Sequence, residues 1–126
     1  MSDILKDLYT TIEKRKTENE EGSYTAYLFE KGIDKILKKV AEEAGETIIA
    51  AKSLEAAFVI PGADPEQGKV AALREAFAGE VADLLYHLVV LESALGVSAE
   101  EVEAVLQERS GKTGNLKIQK QVNKNS

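Results

Sequence analysis

The sequence contains 126 residues, of which 44% are hydrophobic, and this suits one domain with a single hydrophobic core. It has no cysteine and a single histidine, His87, which excludes disulfides, cysteine-ligated zinc and metal sites built from several imidazoles. It also lacks the run of about 18 apolar residues that a membrane-spanning helix needs, and its acidic start is unlike a signal peptide. We therefore expect a cytoplasmic protein without a membrane partner.

The net charge of −6 conceals an asymmetry between the body of the chain and its end. Residues 110–126 contain four lysines and no acid, whereas residues 1–109 contain 12 basic and 22 acidic residues, a balance of −10. An acidic body disfavours nucleic-acid binding, which needs cations to replace the counterions of the phosphates. We therefore predict one domain over residues 1–109, a basic tail over 110–126, and no nucleic-acid partner.

Apolar residues recur at helical intervals in the first half of the chain. They predict a helix from Asp3 to about Asn19, and then a short helical turn to Lys31 that is capped by Ser23 or Thr25. Gly32 is expected to end this turn. A long helix follows from Lys35 to Ser53, with Asp34 as its cap.

The second half repeats the helical pattern. Asp64-Pro65-Glu66 is typical of a helix cap with proline at the first helical position, and the second long helix is predicted from Val70 to Leu95. Gly96 ends it, and Ser98 with Glu101 forms a capping box for a last helix to about Arg109. With few alternating β-branched runs, the predicted fold class is all-α, a bundle of four to five helices.

Both long helices carry acidic residues beside an apolar stripe. On a wheel of about 100° per residue, Glu43 and Glu80 lie at the border of a stripe, and the acids three residues later, Glu46 and Asp83, lie on the same side. Antiparallel packing along the stripes then brings both acid pairs to one groove. The stripes consist of Ile36, Leu37, Val40, Ala44, Thr47, Ile48 and Ala51 on the first long helix and Leu73, Phe77, Val81, Leu84, Leu85 and Leu88 on the second.

Acids gathered in one groove repel each other, and a hard divalent cation relieves the repulsion. Mg²⁺ and Mn²⁺ prefer carboxylate oxygens, so the layout favours a site for one of them. The alternative is two solvated helix edges in a chain of which 30% is charged. A di-iron centre is disfavoured because His87 lacks both the Glu-x-x-His spacing and a second histidine.

Basic residues precede the acids on the first long helix. Lys39 shares the side of the acids, and we expect it to contact phosphate or the acids, whereas Lys38 is expected to be solvated. His87 lies close to the second acid pair on the wheel. It is either a hydrogen-bond donor behind the site or a satisfied, partly buried histidine, and the sequence leaves both open.

The residues around the acids resemble a known family. Glu42-Glu43-Ala44-Gly45-Glu46, followed by Glu80-Val81-Ala82-Asp83, resembles the Glu-Glu-x-x-Glu…Glu-x-x-Asp signature of the all-α, MazG-like nucleotide pyrophosphatases. Gly22-Ser23-Tyr24-Thr25 and Asp83-Leu84-Leu85-Tyr86-His87-Leu88 narrow the resemblance to the phosphoribosyl-ATP pyrophosphatases, from about Leu5 to Arg109.

The resemblance implies Mg²⁺-dependent hydrolysis of phosphoribosyl-ATP to phosphoribosyl-AMP and pyrophosphate, the second step of histidine biosynthesis. It also implies a homodimer whose helical subunits pair into a larger bundle. The implied metal ligands are Glu43, Glu46, Glu80 and Asp83, with Mn²⁺ able to replace Mg²⁺. The implied catalytic residues are Glu42, which would orient water, Glu43 and Glu46, and the implied substrate contacts are Lys35, Lys39, Ser23, Tyr24, Thr25 and His87.

Two alternatives stay open at this point: a general pyrophosphatase acting on nucleoside triphosphates, and a non-catalytic helical dimerisation module. Residues 54–68 form a longer connection than the resemblance leads us to expect. The sequence leaves open whether this connection is a lid, a dimer contact or an insertion. Gly45 and Gly79 lie inside predicted helices, where each costs about 1 kcal/mol relative to alanine, and the sequence gives no reason for either.

Overall fold

The computed structural model describes residues 3–18, 22–60, 62, 64 and 67–111. Over these residues the chain forms helices and no strand, which confirms the all-α prediction. The helices are α1 (Ile4–Thr17), α2 (Tyr24–Lys31), α3 (Ile33–Phe58), α4 (Gly68–Leu95) and α5 (Ala99–Ser110). Apart from Ser110 and Gly111, the predicted basic tail lies outside the described residues, and so does Asn19, the predicted end of the first helix.

Four of the predicted helix ends are confirmed. The Ser23 hydroxyl oxygen accepts a backbone N–H of the first turn of α2 at 3.1 Å. Gly32, with φ of 91°, and Gly96, with φ of 73°, end α2 and α4 in conformations that a side chain disfavours. Ser98 and Glu101 form both hydrogen bonds of the predicted capping box at the start of α5.

Both ends of α3 differ from the prediction. The helix begins at Ile33 with Gly32 as its N-cap, so Asp34 lies in the first turn and is not the cap. The helix also continues past Ser53 to Phe58, because the added residues are mainly strong helix formers and Ala57 is buried against the rest of the protein. The first third of the supposed connection, residues 54–58, therefore belongs to a regular helix.

The predicted cap of α4 is also wrong. The helix begins at Gly68 after Gln67, so Asp64 precedes it by four residues, and Pro65 lies outside the described residues. The Gln67 N–H instead donates to the Asp64 carbonyl oxygen at 3.2 Å, in a turn ahead of the helix. The connection between the long helices therefore covers only residues 59–67.

The long helices α3 and α4 run antiparallel and form the main packing contact of the fold. Ala57 near the end of α3 faces Leu73 near the start of α4, and Thr47 meets Glu80 further along both helices. Helices α1 and α2 pack on this pair around a buried cluster formed by Ile12, Leu28, Ile36, Val89 and Val90. The antiparallel packing predicted from the stripes is thus present.

Three residues predicted to lie in the buried stripes are exposed. Leu37 is 48% exposed and Ile48 65% exposed on α3, and Leu85 is 40% exposed on α4. All three lie at the outer edge of their stripes, about 120–140° from the first acid of each pair. The packing of α3 on α4 leaves this edge of both stripes exposed, so the prediction that these three are buried is wrong for a single chain.

No single helix of the described chain is long and apolar enough to cross a membrane. By length and composition alone, α4 and α5 pass this criterion together, but they are bent by 114° relative to each other.

Candidate metal and substrate site

Three carboxylates converge where the middle of α3 packs against α4. One oxygen from each of Glu43, Glu46 and Glu80 lies within 4.8 Å of the other two. Glu43 is only 6% exposed, and the Oε2 atoms of Glu43 and Glu80 are buried without a hydrogen-bond partner. Buried acceptor oxygens that lack a donor are costly, and a cation from outside the chain would satisfy them.

The environment of Glu80 opposes its negative charge. Burial raises the pKa of the Glu80 carboxyl above its ordinary value, a hydrogen bond with Glu46 raises it further, and the charges of Glu46, Glu43 and Asp83 add to the effect. A positive ion placed among these oxygens would reverse this effect. The raised pKa of Glu80 and the unpartnered oxygens therefore both favour a positive ion at this cluster.

A hydroxyl on α3 connects the two acid-bearing helices. Thr47 Oγ1 lies 2.8 Å from the Glu43 carbonyl oxygen, one turn back on α3, and 3.3 Å from the Glu80 carbonyl oxygen on α4. Its proton can be donated to either carbonyl oxygen. Thr47 was expected only as a member of the apolar stripe, yet its hydroxyl also lies within hydrogen-bond distance of both helix backbones at the level of the acids.

Lys39 lies on the α3 side of the cluster. Its Nζ is 3.2 Å from Glu42 Oε2 and 3.6 Å from Glu43 Oε1. The hydrogen bond from Lys39 holds the pKa of the exposed Glu42 carboxyl below its ordinary value, and the charges of Lys38 and Lys35 contribute. Glu42 is thus kept ionised beside the cluster, and Lys39 offsets part of the negative charge of Glu43.

The first turn of α2 is hydrogen-bonded to α4 next to the acidic cluster. The Tyr24 hydroxyl lies 2.9 Å from His87 Nε2, and Thr25 Oγ1 is hydrogen-bonded to the Tyr86 hydroxyl. His87 Nδ1 lies 2.7 Å from the carbonyl oxygen of Asp83. This segment therefore forms a wall of aromatic and hydroxyl groups beside the cluster.

The structure brings together three of the four predicted metal ligands. The side chain of Asp83 is exposed and is not in the group within 4.8 Å, although its charge reaches Glu80. Lys35 lies in the first turn of α3, close enough for its charge to act on Glu42. The ligand and substrate roles of these residues stay predictions.

The donor set fits a hard divalent cation. Every ligand atom in the group is a carboxylate oxygen, and the Oε2 atoms of Glu43 and Glu80 have no hydrogen-bond partner. Oxygen-only sites suit Mg²⁺ and Mn²⁺, whereas iron and zinc sites in proteins usually include imidazole or thiolate. Fold and site together define a class of protein: an antiparallel helical bundle with a cluster of carboxylates between its two long helices.

Comparison with known proteins places the chain within this class. The sequence model of the family described as Phosphoribosyl-ATP pyrophosphohydrolase matches residues 5–110. Proteins named phosphoribosyl-ATP pyrophosphatase are 48% identical in Streptococcus sanguinis, over 90% of this chain and 91% of the relative, and 42% identical in Listeria monocytogenes, over 95% and 98%. The relative of that name in Streptococcus thermophilus is 44% identical over 94% of this chain and 97% of its own length.

The chain therefore belongs to the phosphoribosyl-ATP pyrophosphohydrolase family, as the carboxylate signature and the Gly-Ser-Tyr-Thr segment indicated. The match at residues 5–110 also agrees with the span of the resemblance, Leu5 to Arg109.

Proposed function

We propose that this protein hydrolyses phosphoribosyl-ATP to phosphoribosyl-AMP and pyrophosphate, with Mg²⁺ as its cofactor, in histidine biosynthesis. The observation that carries the proposal is the cluster of Glu43, Glu46 and Glu80, with two buried carboxylate oxygens that lack a donor. A magnesium-bound triphosphate is an oxygen-rich ligand with the charge that this cluster needs. Family membership supplies the identity of the substrate. The cytoplasmic location predicted from the sequence stays part of this proposal.

The residues of the chain have distinct tasks in the proposed reaction. Glu43, Glu46 and Glu80 would hold Mg²⁺, with Asp83 as a further ligand, and the bound ion supplies positive charge that stabilises negative charge on the phosphates. Lys39 and Lys35 would place fixed positive charges beside the phosphates, where charge builds up as the α–β anhydride bond breaks. Glu42, held ionised by Lys39, would accept a hydrogen bond from the attacking water and orient it.

The substrate would also touch the start of α2. The ring of Tyr24 is half-exposed, and its hydroxyl, like that of Thr25, faces α4. The Ser23 hydroxyl accepts a backbone N–H as the cap of α2 and keeps its own proton for donation to a ligand oxygen. Because the sequence offers no cysteine and no activated serine, we expect water to attack the phosphoanhydride directly, without a covalent intermediate on the protein.

We further propose that the protein is a homodimer. Leu37 and Ile48 on α3 and Leu85 on α4 are exposed at the outer edges of stripes that are otherwise covered. Exposed apolar side chains on the two longest helices favour pairing with a second copy, which would extend the bundle. The expected measurement is light scattering coupled to size exclusion, with a dimer for the natural protein and a monomer for Ile48→Glu combined with Leu85→Glu. A monomeric natural protein would contradict the dimer.

The test of the activity uses purified protein with phosphoribosyl-ATP, ATP and a deoxynucleoside triphosphate, each with Mg²⁺ or with a chelator. We expect pyrophosphate and phosphoribosyl-AMP from the first substrate only, and none in the presence of the chelator. Turnover of the simple triphosphates but not of phosphoribosyl-ATP would make the protein a general pyrophosphatase. No turnover at all, with no effect of Mg²⁺ on the melting temperature, would leave a helical dimerisation module.

A further inference from the structure

The single histidine of the chain is buried next to the acidic cluster, and both of its ring nitrogens are hydrogen-bonded within the protein. His87 is 5% exposed. Its Nδ1 lies 2.7 Å from the carbonyl oxygen of Asp83, and because a carbonyl oxygen only accepts, Nδ1 carries the proton. In the neutral imidazole Nε2 is then an acceptor, and it lies 2.9 Å from the Tyr24 hydroxyl, which donates to it.

Tyr24 stands between this imidazole and the charged groups of α3. Its ring is half-exposed, its centroid lies 5.7 Å from that of His87 in an edge-on arrangement, and it lies 6.1 Å from that of Tyr86. Burial raises the pKa of the Tyr24 hydroxyl, while the nearby charge of Lys39 opposes that shift and the charge of Glu43 adds to it. Tyr24 is therefore in electrostatic reach of both Lys39 and a predicted metal ligand.

The geometry points to His87 as a positioning residue that does not touch the substrate, and that holds Tyr24 beside the acidic cluster through Nε2. This inference rests on the proposed function and replaces the expectation that His87 itself binds substrate. The imidazole has no free nitrogen to offer a ligand and little exposed surface. The Tyr24 ring, in contrast, has an exposed face, and its hydroxyl keeps lone pairs for an incoming donor.

Two substitutions separate the two hydrogen bonds of the imidazole. His87→Asn keeps a donor near the Nδ1 position and removes the acceptor for Tyr24, whereas His87→Gln keeps an acceptor near the Nε2 position. We expect His87→Asn and Tyr24→Phe each to raise the KM for phosphoribosyl-ATP about 5- to 10-fold, the fold-change expected for one hydrogen bond. The kcat should stay within about twofold, because the acids are intact. His87→Gln should be close to the natural protein.

The double variant His87→Asn/Tyr24→Phe distinguishes positioning from a general structural role. If His87 acts through Tyr24, the double variant is no worse than the more impaired single variant. Multiplied losses, or equal impairment of His87→Gln and His87→Asn, would overturn the inference. Melting temperatures measured alongside separate loss of folding from loss of positioning, because a purely structural role changes stability without a selective change in KM.

Nuclear magnetic resonance gives a readout that does not depend on turnover. With one histidine in the sequence, the ¹⁵N resonances of the imidazole are assigned without ambiguity. We expect the Nδ1–H form in the natural protein, with Nε2 changing its shift in Tyr24→Phe. An Nε2–H form, or no response to Tyr24→Phe, would overturn the inference even if the protein is fully active. Absence of hydrolysis together with the expected imidazole signals would refute the proposed function and the KM prediction, but leave the contact between His87 and Tyr24 standing.

Discussion

Two acids at helix α4 have opposite surroundings. Glu13 of α1 is hydrogen-bonded near the end of the helix, and Glu80 lies among other acids near its middle. Near its end, the fully buried Ser93 donates its hydroxyl proton to Glu13 of α1. Lys16 Nζ lies 2.9 Å from the same Glu13 oxygen and donates to the Ser93 carbonyl oxygen at 2.7 Å. These hydrogen bonds, first that of Ser93 and then that of Lys16, hold the pKa of Glu13 below its ordinary value.

Near its middle, α4 presents Glu80 to two further acids, and the pKa of Glu80 is raised. The difference is one of partners. Glu13 receives its donors from its own chain, as expected of an acid that joins two helices, whereas the Oε2 atoms of Glu43 and Glu80 receive none. An acid that stabilises the fold has hydrogen-bond donors within the chain, whereas an acid that binds a ligand has oxygens without such donors.

The largest expected effect is on turnover at the cluster. Glu46→Gln and Asp83→Asn should each lower the kcat for phosphoribosyl-ATP by about 100-fold or more, because each removes a charge that would hold Mg²⁺. The far-ultraviolet circular dichroism should keep its helical signal. Glu75→Gln, an exposed acid elsewhere on α4, is the matched control and should stay close to the natural protein. Full turnover in Glu46→Gln or Asp83→Asn would remove that residue from the site.

The opposite pattern is expected for Glu13. Glu13→Ala takes the acceptor from the fully buried Ser93 hydroxyl and should lower the free energy of unfolding by about 1 kcal/mol, with kcat unchanged. Because the folded-state pKa of Glu13 is lowered, its contribution in the natural protein is present above the ordinary glutamate pKa and is lost as the pH falls through the lowered value. Urea unfolding at neutral and acidic pH measures both. A loss of turnover at unchanged stability would contradict the assignment.

The contribution of Glu80 to stability should depend on pH in the opposite direction to that of Glu13, and it should also depend on Mg²⁺. Its raised pKa favours the protonated form in the metal-free fold, so its contribution is present below the ordinary glutamate pKa and is lost as the pH rises through the raised value. Glu80→Gln should therefore raise the melting temperature of the metal-free protein at pH about 7. Mg²⁺ should raise that of the natural protein but not that of the variant. A metal-free variant that melts below the natural protein would show that the charges of the cluster do not oppose folding.

The smallest effect is expected at Thr47. Thr47→Val keeps the shape of the side chain but removes the hydroxyl that contacts the Glu80 carbonyl oxygen, and we expect kcat/KM to fall about two- to fivefold. Thr47→Ser retains the hydroxyl and should recover most of the loss. If valine and serine behave alike, the hydroxyl does not set the spacing of the helices at the cluster.

The sequence predicts the helices well because apolar periodicity and caps are local. The capping box of Ser98 and the glycine ends at Gly32 and Gly96 need only neighbouring residues. The end of α3 lies beyond the predicted Ser53 because the burial of Ala57, near the far end of the helix, is a tertiary effect, and serine is only a weak helix former. A helical wheel identifies the apolar face of a helix but not the element that packs against this face.

The same distinction applies to the site. The spacing of Glu43 with Glu46, and the position of Glu80 beside a matching stripe, follow from helical geometry, and the three side chains do meet. The contact of Tyr24 with His87 joins residues 63 positions apart, and only the packing of α2 on the long helices brings them together. Ser93 does carry a signal in the sequence: a hydroxyl within an apolar stretch of α4 needs a partner, and Glu13 is that partner.

The most direct test of the central claim is a titration of metal-free protein with Mn²⁺, with free Mn²⁺ followed by electron paramagnetic resonance. We predict saturable binding that Mg²⁺ competes away and that is absent from Glu43→Gln/Glu46→Gln/Glu80→Gln, whose circular dichroism should remain helical. Equal Mn²⁺ binding by the natural protein and the triple variant, or no binding by either, would contradict a cation site formed by these three carboxylates.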